Sequence, residues 1–272
     1  MYQVKNFLNN DDIKIKLEKG NIRIIEYLKD LSVNPYTCVT QYYAAQMNVR
    51  KRQAVIELKK DSYITSAGAM QWTVVSVESI TDVKGVGDFL GKALKGSVTK
   101  ESTVKPKYTG TGVLVLEPTY NHLIIEDLSE WGSGMVIDDG MFLACESTVN
   151  YNVIMRSNLS SAVLGNQGLF SLKLSGNGLA ILESPVPREE LIEVVLENDE
   201  LKIDGNFAVA WSDTLEFTVE KSGKSLIGSA VSSEGFVNVY RGTGKILLAP
   251  VLSLTNYSMN TLNNTTARPI GR

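Results

Sequence analysis

Apolar and polar positions alternate along much of this chain with a period of two, in short runs. Ile13, Ile15 and Leu17 alternate with Lys14, Lys16 and Glu18; Phe170, Leu172 and Leu174 alternate with Ser171 and Lys173; Val237 and Val239 flank Asn238. That period is the mark of half-exposed strands. Three other runs are continuously apolar or nearly so: Val113 to Leu116, Leu179 to Leu182 and Lys245 to Leu248. Four to six residues rich in Val, Ile and Leu suit strands with much of their surface buried. Each follows a Gly-x-Gly phrase: Gly110-Thr111-Gly112, Gly176-Asn177-Gly178 and Gly242-Thr243-Gly244. Gly110, Gly176 and Gly242 fall 66 residues apart, and two equal spacings point to an internal triplication.

A glycine pair ahead of a strand lets the backbone take positive φ at a tight turn or bulge. With an aromatic-rich strand before each pair and an apolar strand after it, the pattern predicts strand, glycine turn, strand: a hairpin written three times. A phosphate cradle would need a helix to follow the glycines, and a strand follows. A second phrase agrees. Ile137-Asp138-Asp139-Gly140-Met141-Phe142-Leu143-Ala144 resembles Ile203-Asp204-Gly205-Asn206-Phe207-Ala208-Val209-Ala210, and Asp-Gly between apolar stretches predicts a hairpin turn. A degenerate first copy is expected at Leu58 to Ile64, leading into Ala69-Met70-Gln71-Trp72.

The predicted fold class is therefore all-β, three tandem β-sandwich-like units with an N-terminal extension and one Gly-rich insert. The expected divisions are 1–46, an extension in which Lys19-Gly20-Asn21 turns one strand back on another; 47–107, the first unit, carrying a Gly/Lys-rich insert at 82–107; 108–171 and 172–250, the second and third units; and 251–272, a polar tail. The insert differs in kind. Asp82 can cap a helix whose apolar residues Val83, Val86, Phe89, Leu90, Ala93 and Leu94 follow three-to-four spacing, with Lys84, Lys92 and Lys95 between them. Gly85, Gly87 and Gly91 weaken such a helix by roughly 1 kcal/mol each relative to Ala, so it is expected to order only on docking. Docking against its own β core is one reading; contact with a protein partner or an anionic membrane surface, through Lys84, Phe89, Leu90, Lys92 and Lys95, is the other.

Charge alters the picture little overall and more locally. The chain of 272 residues carries a formal net charge of −3, against general nucleic-acid affinity. Six lysines lie between Lys84 and Lys107, and seven acidic residues lie between Arg188 and Asp204. Two cysteines, Cys38 and Cys145, stand far apart; with no apolar signal core after Met1 and no run of about 18 apolar residues, a soluble cytoplasmic protein is expected.

Chemistry is sparse. The single histidine, His122, sits at the entrance to Leu123-Ile124-Ile125 and reads as a surface or capping residue. One histidine and two distant cysteines do not make a metal-ligand set. No Gly-x-Ser-x-Gly elbow is present, and Asp138-Asp139 falls in a turn. Carboxylates remote in sequence can still meet in space, so a carboxylate-dependent hydrolase stays among the alternatives. Trp72, Trp131 and Trp211 read as core or strand anchors rather than a sugar-stacking platform. No catalytic residue, cofactor or metal is expected.

Ser66-Ala67-Gly68-Ala69-Met70, Leu174-Ser175-Gly176-Asn177-Gly178, Ser233-Glu234-Gly235-Phe236-Val237 and the closing Tyr240-Arg241-Gly242-Thr243-Gly244 together resemble one family over roughly residues 47 to 250. It is the bacterial and mitochondrial family named for altered inheritance of mitochondria. The resemblance implies three fused β units, each like the subunit of the tryptophan-sensing RNA-binding attenuation protein (TRAP-like), about a pseudo-threefold axis. It also implies a non-enzymatic scaffold or assembly protein, with homo-oligomers as a further expectation. A small-ligand or RNA-binding module is the alternative by fold analogy.

Overall fold

The computed structural model describes residues 2–74, 77–80, 105–155, 170–221 and 236–251. In chain order these form β1 (Ile13–Lys19), β2 (Ile22–Tyr27), α1 (Cys38–Gln46), β3 (Arg52–Thr65), β4 (Met70–Val74), β5 (Val77–Ile80), β6 (Lys107–Leu116), β7 (His122–Asp127), β8 (Met135–Ile137) and β9 (Phe142–Glu146). There follow β10 (Val149–Met155), β11 (Phe170–Gly176), β12 (Leu179–Ser184), β13 (Ile192–Ile203), β14 (Ala208–Ser212), β15 (Glu216–Lys221) and β16 (Phe236–Leu248). The molecule is nearly all β, as its period-two patterning requires.

The strands fall into two sheets. In the nine-stranded sheet the order is β1-β2-β3-β9-β12-β7, with β6 along the other edge of β3 and carrying β4 and β5. It curls into a nearly closed barrel. Lys19 of β1 reaches Asp127 of β7 at 3.5 Å across the remaining seam. The seven-stranded sheet, β10-β11-β8-β14-β16-β13 with β15 also on β16, is a half-barrel. One core cluster belongs to the barrel sheet alone, with Ile22, Ile24, Ile56, Tyr63, Leu114 and Ile181. A second joins the two sheets through Ile124, Phe142, Leu182, Met135, Leu174 and Leu247, and a third, around Trp211, Tyr240 and Ile246, belongs to the half-barrel. β12 shows why its run is apolar at every position: Leu179 and Ile181 enter the first cluster while Ala180 and Leu182 enter the second. Trp131 and Trp211 are buried core residues.

The stretches after the three glycine pairs are strands, but the pairs do not make hairpins. β6 and β16 each run straight through theirs, and β11 and β12 on either side of Gly176-Asn177-Gly178 lie in different sheets. The glycines take positive φ, 142° at Gly110 and 121° at Gly242, which bends one strand without reversing it. The bend is matched by a bulge in the facing strand: between Lys59 and Asp61 in β3, and between Leu196 and Asp199 in β13. At Gly176–Gly178 the bend is complete and passes the chain from one sheet to the other.

The Asp-Gly turns are corrected likewise. β8 and β9, on either side of Asp139-Gly140, do not pair, and neither do β13 and β14 around Asp204-Gly205. Leu58 to Ile64 lies inside β3 rather than at such a turn, whereas a glycine of similar backbone form stands at Gly68: Gly68, Gly140 and Gly205 have φ of 77°, 87° and 89°. Each leads into a strand that meets the end of an apolar run in the same way. Met70 faces Leu116, Phe142 faces Leu182 and Ala208 faces Leu248, with a bulge following at Gln71, Leu143 and Val209 in turn.

Candidate functional site

The interaction segment read from the sequence, with Lys84, Phe89, Leu90, Lys92 and Lys95, lies outside the described residues, as does the polar tail beyond Val251. Three other features stand on the described surface.

The first is a cleft of about 380 Å³ where the Ser66–Ala69 turn, the Glu117–Thr119 segment after β6, the β8–β9 turn at Gly140 and the end of β12 at Glu183 converge. Its walls are cross-tied. Ser66 Oγ donates to the Phe142 carbonyl at 2.6 Å, Glu117 N donates to Ala69 O at 2.7 Å, and Asn121 Nδ2 donates to the Glu183 carboxylate. Two carboxylates, Glu117 and Glu183, line the cleft with two hydroxyls, and the Thr119 hydroxyl donates to Glu183 Oε2 at 3.4 Å. Among the described residues no group of three or more His, Cys, Asp or Glu could hold a metal ion.

The second is a buried ionic knot next to that cleft. Thr119 exchanges backbone hydrogen bonds with Arg52, the first residue of β3, at 2.7 and 2.8 Å. Arg52 is only 1% exposed. Its Nη2 donates to Asn48 O and Oδ1 and lies 2.9 Å from Glu26 Oε2, while Arg50 Nη1 holds Glu26 Oε1 at 3.1 Å. The Glu26 Oε2 contact is close but off the hydrogen-bonding direction, and Arg52 Nε makes no hydrogen bond. The knot ties β2, the residues after α1 and the β6–β7 connection into one body. His122 stands beside it; burial, with the Arg52 guanidinium adding to the effect, pushes its pKa down to about 4, so the imidazole is neutral at pH 7. His122 is the half-buried first residue of β7. The sequence did not single out Arg52 or Glu26, because an Arg at a strand start looks like any surface charge until its burial is known.

The third feature is the outer edge of β13. Among the described strands β13 pairs with β16 alone. Ile192 and Val195 on it are 50% and 63% exposed, and Glu193, Glu197, Asp199 and Glu200 are exposed with them. β3, which faces its own bent strand β6 in the same register as β13 faces β16, has both edges filled: β2 and β9 occupy the second.

A nearly closed barrel and a half-barrel of antiparallel strands, with β13 open along one edge, define a class of β-rich modules. The chain belongs to the mitochondrial biogenesis AIM24 family, whose model matches residues 45–251. It is 28% identical over 189 residues to an uncharacterised protein of Streptococcus pyogenes, spanning 66% of this chain and 73% of that one. The crystal structure of a Streptococcus pyogenes protein superposes with a TM-score of 0.58 at 22% identity, covering 89% of this chain and 99% of the other, which shows a shared fold. The family resemblance drawn from Gly-x-Gly and its flanks is thus shown. No helix among the described residues is long and apolar enough to cross a membrane.

Proposed function

We propose that this chain is a non-enzymatic assembly protein made of three copies of one β unit, and that the open edge of β13 takes an extended strand from a protein partner. The copies are β3–β6, β7–β12 and β13–β16, the middle one with its long strands split between the two sheets. The recurrent pairing of Leu116, Leu182 and Leu248, each with a bulge after its partner, supports that reading. A TRAP-like pseudo-threefold arrangement belongs to the same proposal.

The observation that carries the functional part is the asymmetry between β3 and β13. A twelve-residue strand with unpaired backbone groups and exposed Ile192 and Val195 is a ready template for strand addition. Glu193 is already paired with Arg188 and Glu200 with Arg241 and Lys202, so Glu197 and Asp199 are the carboxylates that favour a basic strand, as Arg23 of β2 lies 3.8 Å from Glu57 where β2 completes β3. The test is fluorescence anisotropy with a labelled peptide alternating Lys and Ile. Binding that weakens with salt and is lost in Val195→Pro is expected; no binding at low salt refutes the edge as a docking site. The Gly/Lys-rich segment is the second contact in this proposal. Cosedimentation with anionic vesicles that is unchanged by Phe89→Ser with Leu90→Ser removes it.

A second reading, a small-ligand module, is favoured by the cleft alone, whose volume falls within the common range for ligand sites. A thermal-shift screen of small organic cations, with Glu183→Gln as control, decides it.

A further inference from the structure

Most of the highly exposed apolar side chains among the described residues lie in one stretch, Val195 on β13 and Val251 being apart from it. Leu31 (74%), Tyr36 (93%), Val39 (60%), Tyr42 (62%), Tyr43 (64%) and Met47 (77%) crowd into α1 and its flanks. Between Asp30 and Arg50 the chain has no charged residue. α1 buries none of its residues, has no side-chain cap at Thr37 and no acidic residue in its first turn. A nine-residue helix so poorly supported is marginal in water, because most helical stability comes from packing an apolar face. Yet it is held to the body at one end, where Arg50 Nε donates to Ala45 O at 3.0 Å while Nη1 binds the buried Glu26. It is an anchored, uncharged, tyrosine-rich knob with its packing surface unused.

From this we infer that α1 and its flanks are the contact between two copies of this chain related by a twofold axis. Three observations select that occupant. Interfacial membrane helices carry a cationic face, and α1 has no cation; the neighbouring Arg50, Lys51 and Arg52 are already engaged by Glu26, Asp30 and Glu26. A twofold contact brings each residue near its own copy, and an uncharged patch meets itself without like-charge repulsion, which the acidic β13 edge does not. Side chains of this size, exposed to this extent, present on the order of 800 Å² of surface, the ~800 Å² per partner of a standard stable interface. Tyr and Met are also residue types enriched where proteins meet.

The inference deepens the assembly reading but uses a different surface. Sedimentation velocity on the full chain, with the variant Tyr42→Asp/Tyr43→Asp, tests it. The wild type sediments as a dimer, and the variant raises the dissociation constant by about 100-fold or more, the scale of losing central aromatic anchors. At concentrations where both proteins are monomers the variant's melting temperature matches wild type, because α1 buries none of its residues within one chain. A spin label on the exposed Cys38 provides the second measurement: it shows a dipolar coupling that dilution with unlabelled chain removes. A monomeric wild type overturns the inference, as does a variant that remains a dimer, or a wild type whose α1 patch engages vesicles instead of a second copy. A monomer that still binds the Lys/Ile peptide at β13 overturns this inference alone, whereas a dimer that binds no peptide overturns only the β13 edge.

Discussion

Arg52 carries more of the stability than any exposed charge, because its guanidinium is buried beside Glu26 and also donates to the carbonyls of Arg50, Tyr120 and Asn48. Removing one member of a buried pair leaves the other uncompensated, at a cost of about 3–5 kcal/mol. Arg52→Met is therefore expected to lose about 3 kcal/mol in urea denaturation, Arg50 still holding one Glu26 oxygen, and Arg52→Met with Glu26→Leu to recover part of it. His122 gives a pH signature. Its folded pKa of about 4 lies below the 6.5 of the free side chain, so the unfolded chain takes the proton first. Stability is fully present above pH 6.5 and falls as the pH drops from there towards 4. Melting temperatures from pH 7 to 4.5 should fall less steeply in His122→Gln. The two thiols divide by burial. Burial pushes the Cys145 pKa up to about 12, whereas Cys38 is exposed. A thiol reagent at pH 8 should modify one cysteine quickly and the second only on unfolding, and mass mapping should place the fast one at Cys38.

At the scale of the element, glycine position decides whether a strand continues, bends or changes sheet. A Cβ on Gly178 would stand 2.6 Å from Thr148 Oγ1 and 2.8 Å from Glu146 Oε2, at a φ of 143°. Glu146 there accepts Leu179 N at 3.0 Å and Tyr63 Oη at 3.2 Å, so it has little freedom to withdraw. Gly132, with φ of 63°, has open space where its Cβ would stand. Gly178→Ala is expected to cost about 1–3 kcal/mol more than Gly132→Ala in equilibrium denaturation. Equal losses would mean that the corner at β11–β12 is not sterically set. Alternation and glycine placement made these strands legible; hairpins were the natural expectation because adjacent strands usually pair with each other. They were wrong at all three Gly-x-Gly sites, since a positive φ inside a strand serves a bulge as well as a reversal.

For the whole molecule, the N-terminal hairpin matters more than the family match suggests. The match begins at residue 45, yet Ile22 and Ile24 of β2 are fully buried in the barrel core and β2 fills the edge of β3. A chain starting at residue 45 is expected to scatter light and bind a hydrophobic dye, while the full chain does neither. If the truncated chain melts cooperatively at the full-length temperature, the hairpin is dispensable. Most of the β content, the buried runs, Trp131 and Trp211 as core anchors (Trp72 is only half-buried) and the family were readable from local pattern, because alternation and glycine spacing are written residue by residue. The cleft, the Arg52–Glu26 knot, the bare edge of β13 and the division into barrel and half-barrel were not. Which strand a given strand pairs with depends on bulges and on faces brought together from far along the chain. Burial of a charge exists only once those partners have closed around it.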